Sequence, residues 1–201
     1  MHKIEIMNYY ILYKPFGTLC QFSPEPGKIT LADIGFKFPI DVYPVGRLDE
    51  DSEGLLLLTN DKKINNILLD PAFGHTRTYL VQVEGEINEE AVRKLKTGLM
   101  IRIDKKDHHC IASDAEMIPE PVLPERNPPV RFRKSIPTSW LRMSLHEGKN
   151  RQVRKMTAAT GFPTLRLVRQ SIEGLNIGSL KPGQVSEVNA KEIYKILRIK
   201  S

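Results

Sequence analysis

Asp49 is the residue best placed to do covalent chemistry. It lies in the polar run Gly46-Arg47-Leu48-Asp49-Glu50-Asp51-Ser52-Glu53-Gly54, two positions after an arginine and just ahead of Leu55-Leu56-Leu57-Leu58. Four successive leucines read as a strand covered on both faces, so the carboxylate is held at the edge of a core. Burial and neighbours can set the charge and aim of such a group, which suits a nucleophile or a general base. An isolated Arg-Leu-Asp would mark only an acidic turn, so the rest of the chain has to decide.

The second concentration of chemistry is cationic. Arg126, Arg131, Arg133, Lys134, Arg142, Lys149, Arg151, Arg154, Lys155, Arg166 and Arg169 lie within residues 126–170, against the single acid Glu147. That stretch of 45 residues carries +10 and the other 156 carry −4, within a net charge of +6. A solvated face would mix the two signs, whereas a one-sided block on a mildly acidic scaffold is the footprint of a polyanion site. No basic amphipathic helix with a bulky apolar face accompanies it, so nucleic acid fits better than a membrane surface. Within the block, Val153, Met156, Thr157 and Thr160 recur at helical spacing, with Asn150 expected as the cap and Gly161 and Pro163 as the stop. Arg151, Arg154 and Lys155 then fall in the first turns, where the helix dipole opposes cations by a few tenths to ~1 kcal/mol each. Such a conflict points to use. Arginines beside free backbone amides bind an anion, either an RNA phosphate or one buried carboxylate.

These groups need elements to position them. Residues 9–13 read as a strand closed by Pro15 and Gly17, and residues 55–58 as a second, buried strand. Asp61 caps a helix with Ile64, Ile67 and Leu68 on one side, ending near Asp70-Pro71. Tyr79, Val81 and Val83 alternate with Leu80, Gln82 and Glu84, so the strand is half buried and Tyr79 shares the inward row. Asn88 heads a helix with Ile87 and Val92 as hydrophobic staple and Gly98 as terminator. Leu141, Met143 and Leu145 form the core row of a strand over residues 140–146, and Asn189 with Glu192 opens a last helix. Between them, residues 118–137 hold Pro119, Pro121, Pro124, Pro128, Pro129 and Pro137, which describes a long, semi-stiff basic loop expected to contact RNA. The alternation, without an internal repeat, indicates an α+β fold.

At 201 residues and 40% hydrophobic content the chain can bury a substantial core as one domain or two small lobes. No apolar run approaches the ~18 residues needed to span a bilayer, and the start has no signal-peptide pattern, so the expected location is the cytoplasm. Cys20 and Cys110 lie 90 positions apart, which indicates neither a disulfide framework nor a zinc site. His108-His109-Cys110 is the one metal-like cluster and reads as a polar turn, having no second cluster to complete a shell.

The Asp49 segment closely resembles the catalytic-aspartate motif of the RsuA-type pseudouridine synthases. Lys14-Pro15-Phe16-Gly17, Arg77-Thr78-Tyr79-Leu80-Val81 and Glu147-Gly148-Lys149-Asn150-Arg151-Gln152-Val153-Arg154-Lys155-Met156 match the same family in its order, covering residues 9–182. The resemblance implies a mixed, largely antiparallel sheet with flanking helices, in two lobes around a central cleft. It implies isomerisation of a uridine in ribosomal RNA to pseudouridine, in which the base is detached from its sugar, turned, and rejoined through a ring carbon. That reaction needs no cofactor. It needs an ionised carboxylate at the sugar, a way to extract the nucleotide, a platform for the loose base and a cationic rim. By resemblance Asp49 is the catalytic aspartate, attacking the sugar or assisting bond cleavage. Arg154 pairs with it, Tyr79 packs on the target base, and Arg47 enters the space the flipped nucleotide leaves. Arg126, Arg131, Arg133, Lys134, Lys149, Arg151, Lys155, Arg166 and Arg169 are expected to bind RNA.

The catalytic-domain strand begins by residue 9, which leaves no room for the small N-terminal RNA-binding domain of many relatives. The expected organisation is therefore one catalytic domain over residues 1–201, similar to the stand-alone large-subunit RluE type, a likeness strengthened by Pro124-Glu125-Arg126-Asn127-Pro128-Pro129-Val130-Arg131-Phe132-Arg133 and Trp140. The partner is then large-subunit ribosomal RNA and the protein a monomer. Two other classes compete: a non-catalytic RNA-binding or assembly factor, for which Asp49 is dispensable, and a glycoside hydrolase using Asp49 with Glu53, which seldom needs so basic a rim.

Overall fold

The computed structural model describes residues 6–131, 133 and 135–199. The chain divides into two compact units, the first made of residues up to 73 together with those from 171 onward, the second of residues 74–170. In chain order the first stretch holds β1 (Tyr9–Lys14), β2 (Thr18–Leu19), β3 (Ile29–Thr30), β4 (Tyr43–Pro44), β5 (Glu53–Thr59) and α1 (Lys62–Leu69). The second unit follows with β6 (Arg77–Glu84), α2 (Glu89–Thr97), β7 (Leu99–Ile103), β8 (Lys106–Cys110), β9 (Asp114–Ile118), β10 (Thr138–Leu145) and α3 (Gln152–Ala159). β11 (Thr164–Ile172) carries the chain back into the first unit, which ends with β12 (Leu175–Asn176), β13 (Val185–Glu187) and α4 (Ala190–Ile196). This is an α+β fold whose strands pair largely antiparallel, with four helices among the described residues.

In the first unit β1 lies between β13 and β5, antiparallel to both, with Leu12 opposite Leu56 and Tyr10 opposite Glu187. All seven residues of β5 are buried, as the leucine run predicts for a strand covered on both faces. Asp61 caps α1 through its Oδ1, which accepts from Lys63 N at 2.9 Å, and its Oδ2 accepts from the hydroxyls of Tyr9 at 2.9 Å and Tyr194 at 2.7 Å. One carboxylate thereby joins β1, α1 and α4.

In the second unit the strand order is β11-β6-β10-β9. β10 sets Met143 opposite Tyr79 of β6 and opposite Ala115 of β9. Tyr79, Val81 and Val83 are buried as expected, but so is Leu80, so the middle of β6 is covered on both faces. Asn88 caps α2 by accepting from Ala91 N at 2.9 Å, and Gly98 ends the helix at φ +96. Two local expectations are corrected. His108, His109 and Cys110 lie on β8, paired with β7, and form no turn. Asn150 does not cap α3: the cap position belongs to Arg151 at φ +52, without a side-chain cap bond, and the Asn150 amide donates instead to Asp104 Oδ1 at 3.3 Å.

Candidate active site

Residues 45–52 form a loop tied down at nearly every second residue. Val45 N donates to Leu57 O at 2.8 Å, which fastens the loop's start to β5. Gly46 turns the chain at φ +70, and a side chain there would bring its Cβ to 2.9 Å from Leu69 Cδ2. Leu48 buries its side chain, and its N–H donates to Cys20 Sγ at 3.2 Å. Asp49 O accepts from Ser52 N at 3.0 Å, closing a turn around Asp49, Glu50 and Asp51. Glu50 O accepts from Gly17 N at 2.8 Å. The outcome is a half-buried Asp49 on a backbone with little freedom, and an exposed Arg47 two residues before it.

Lys14 holds the far side of that turn. Its side chain is 0% exposed, and Nζ donates to Ser52 O at 2.7 Å, Pro15 O at 3.0 Å and Glu50 O at 3.3 Å. An ammonium has three donors, and here three carbonyls take them. Burial pushes the Lys14 pKa down from 10.5 to about 8, and the charges of Cys20, Glu53, Asp51 and Asp49 work against that fall. The sequence marks Lys14 only as one letter of a motif, with no sign that its amine would be buried beneath the aspartate loop. Nothing in the sequence points to Cys20 at all.

The second unit supplies Tyr79 and Arg154. Tyr79 is 7% exposed at the middle of β6, beside Thr78, whose hydroxyl meets that of Ser144 at 2.9 Å. Arg154 is half-buried on α3, and among its contacts Nη1 donates to Thr164 O at 3.5 Å. The hydroxyls of Thr157 and Thr164 meet at 2.8 Å and tie α3 to β11. Asp49 thus belongs to one unit, and Tyr79 and Arg154 to the other.

The remaining cations divide into two groups. Arg131 and Arg151 are exposed and Lys155 partly so, while Arg133 pairs with Glu84 at 3.2 Å. Lys149 pairs with Glu147, the one acid of the basic stretch, and Gln152 braces both by donating to Glu147 and accepting from Lys149 N. Arg126, Arg166 and Arg169, also expected to bind RNA, are less exposed than Arg131 and Arg151. Arg126 donates to Pro128 O at 2.8 Å and Pro129 O at 3.0 Å, folding the proline-rich loop around its guanidinium. Arg166 and Arg169 are 7% and 3% exposed, and Arg166 donates to Pro124 O at 2.8 Å. Arg126 and Arg166 thus bind the proline-rich loop from within, and Arg169 is buried on β11. Lys134 lies outside the described residues.

A sequence model of the RNA pseudouridylate synthase family matches residues 8–159 of this chain. The chain belongs to that family. It is 46% identical over 189 residues to the ribosomal large subunit pseudouridine synthase E of Vibrio parahaemolyticus, covering 92% of this chain and 76% of that protein. To the synthase of the same name from Xanthomonas axonopodis pv. citri it is 47% identical over 175 residues, covering 86% of this chain and 89% of that one. A solved structure described as a pseudouridylate synthase superposes with a TM-score of 0.77 at 26% identity, over 96% of this chain and 75% of its own. No helix among the described residues is long and apolar enough to cross a membrane.

Proposed function

We propose that this chain isomerises one uridine of large-subunit ribosomal RNA to pseudouridine, acting as a monomer in the cytoplasm. The family membership gives the reaction, and the observation that carries the residue assignment is the loop that holds Asp49. A carboxylate on a backbone fixed through Leu48, Glu50 and Ser52, beside a fully buried strand, is pre-organised for one geometry. In the reaction the bond from the sugar's anomeric carbon to N1 of uracil breaks, and a bond from that carbon to C5 forms. The C5 proton leaves the ring, and N1 ends protonated.

Asp49 supplies the ionised carboxylate that acts on the sugar. Arg154 is the basic residue assigned to serve that carboxylate in the reaction. Tyr79 offers its ring to the loose base, a contact that needs no change in its protonation. Arg47, planar and permanently charged, takes the place of the flipped nucleotide in the stack. Arg131, Arg133, Lys149, Arg151 and Lys155 hold the RNA backbone. Residues 1–201 then act as one catalytic domain built of two units.

The test is tritium release from uridine labelled at C5 in large-subunit ribosomal RNA that lacks this modification. Wild type is expected to release tritium, and Asp49→Asn to release none while binding the same RNA within about threefold. Retained turnover by Asp49→Asn would refute the assignment. Salt-sensitive binding with no release by wild type from any rRNA form would point to the assembly-factor reading.

A further inference from the structure

The Asp49 loop is held on both shoulders, and the holder on the Arg47 side is a thiol. Cys20 is free and 7% exposed, directly after β2, and Leu48 N–H donates to its Sγ at 3.2 Å. The backbone that presents Cys20 is itself fixed: β2 pairs with β3, Gln21 N donates to Leu19 O at 2.9 Å, and Leu31 N donates to Gln21 O at 2.9 Å. On the opposite shoulder Lys14 holds the carbonyls of Glu50 and Ser52, and its ammonium lies close enough to Cys20 for the two to interact electrostatically. Thiol, ammonium and loop carbonyls form one polar cluster under the turn that carries Asp49.

We propose that Cys20 is a positioning residue for the isomerisation: its sulfur fixes the peptide plane joining Arg47 to Leu48 and, through it, the direction in which Asp49 presents its carboxylate. This rests on Asp49 being the catalytic carboxylate. Leu48 is 8% exposed, so its N–H lies where water is scarce and must find a partner in the protein. Sulfur is a weak acceptor, but it is the acceptor this amide has. Without it the plane can tilt, turning Arg47 on one side and Asp49 on the other while Lys14 still anchors the far shoulder. Misplacement of a reacting group by about 1 Å costs on the order of 10²-fold in rate, so a tilt with one shoulder still held is expected to cost about tenfold.

The experiment compares Cys20→Val, Cys20→Ala and Cys20→Ser in the full chain, reading the single-turnover rate of tritium release and the Kd for the same RNA. Valine, larger than cysteine by about one methyl group, leaves no cavity and offers no acceptor, so it keeps the test open where the alanine cavity prevents folding. Valine and alanine are expected to lower the rate about tenfold with Kd unchanged within about twofold, and serine, which can accept from Leu48 N–H, to restore most of the rate. A wild-type rate in Cys20→Val would overturn the proposal. So would serine as slow as valine, or Kd worsening in step with the rate. Asp49→Asn is run alongside: if it turns over, the catalytic assignment itself fails, whereas an inactive Asp49→Asn beside an unaffected Cys20→Val removes only the role of Cys20.

Discussion

Replacing Lys14 by methionine keeps an unbranched side chain, one atom shorter, and deletes its ammonium group. In the folded protein burial holds the Lys14 pKa at about 8, against 10.5 for a free lysine. Between those two values the unfolded chain binds a proton that the folded chain does not, so the Lys14 contribution to stability rises with pH across that window. It is fully present above pH ~10.5 and is lost as pH falls through about 8. At ~1.4 kcal/mol for each pH step of one, the rise amounts to about 3 kcal/mol. At pH 7 the charged form therefore costs the fold about that much. Against it stand three charge-assisted bonds to Pro15, Glu50 and Ser52 carbonyls, whose loss strands buried acceptors at ~1–3 kcal/mol each. Lys14→Met is expected to be destabilised at pH 7 by about 2 kcal/mol net, with the gap to wild type widening by about 3 kcal/mol as pH is raised to 10.5. Urea unfolding of both proteins at steps between pH 7 and 10.5 measures this, and the other titrating groups cancel in the difference. Parallel stability curves would refute the argument, because a lysine with an ordinary pKa adds no such slope.

Neutralising Arg131 or Lys155 should weaken binding to ribosomal RNA and lower the slope of log K against log salt by roughly 0.7–0.9 each, read by filter binding at several salt concentrations. Arg126→Ala should leave that slope unchanged and instead release residues 119–137 to limited proteolysis, because its guanidinium is occupied by loop carbonyls. Asp61→Ala removes a helix cap and the acceptor shared by two phenols, and should cost about 3 kcal/mol in urea unfolding. In the same variant the Tyr194 hydroxyl, held at about 12, should titrate lower by ultraviolet absorbance yet stay above 10, since burial is the larger cause and the Asp61 hydrogen bond the second.

Where a structural choice depended on neighbouring residues, it was legible in the sequence. The leucines of β5, the alternation of β10 and the caps Asp61, Asn88 and Asn189 all rest on local spacing, and each element formed where that spacing put it. The cap of α3 shows the limit. Asn150 is a good capping residue by type, but its amide is taken by Asp104, 46 positions away, and the chain enters the helix through a left-handed Arg151. The basic stretch shows a second limit. Charge counting treats a guanidinium folded onto proline carbonyls and one facing solvent alike, so Arg126, Arg166 and Arg169 could not be told from Arg131. Around Asp49, the loop and its arginine were readable, whereas Lys14 and Cys20 act across 36 and 28 positions and carry no local signal.

The return of β13 to the edge of β1 sets a schedule for biosynthesis. Tyr10 emerges from the ribosome well ahead of its partner Glu187, which follows about 175 residues later, a wait of roughly 10–35 s at ordinary elongation rates. Throughout that interval one border of β1 offers open backbone hydrogen-bonding groups, the kind of border that invites pairing between nascent chains. The whole of residues 74–170 is made in the meantime, so the segment carrying Tyr79 and Arg154 can collapse before the sheet beside the Asp49 loop is sealed. A premature stop ahead of Val185 would leave that border open for good, and the product should appear in inclusion bodies even with every residue assigned to catalysis present.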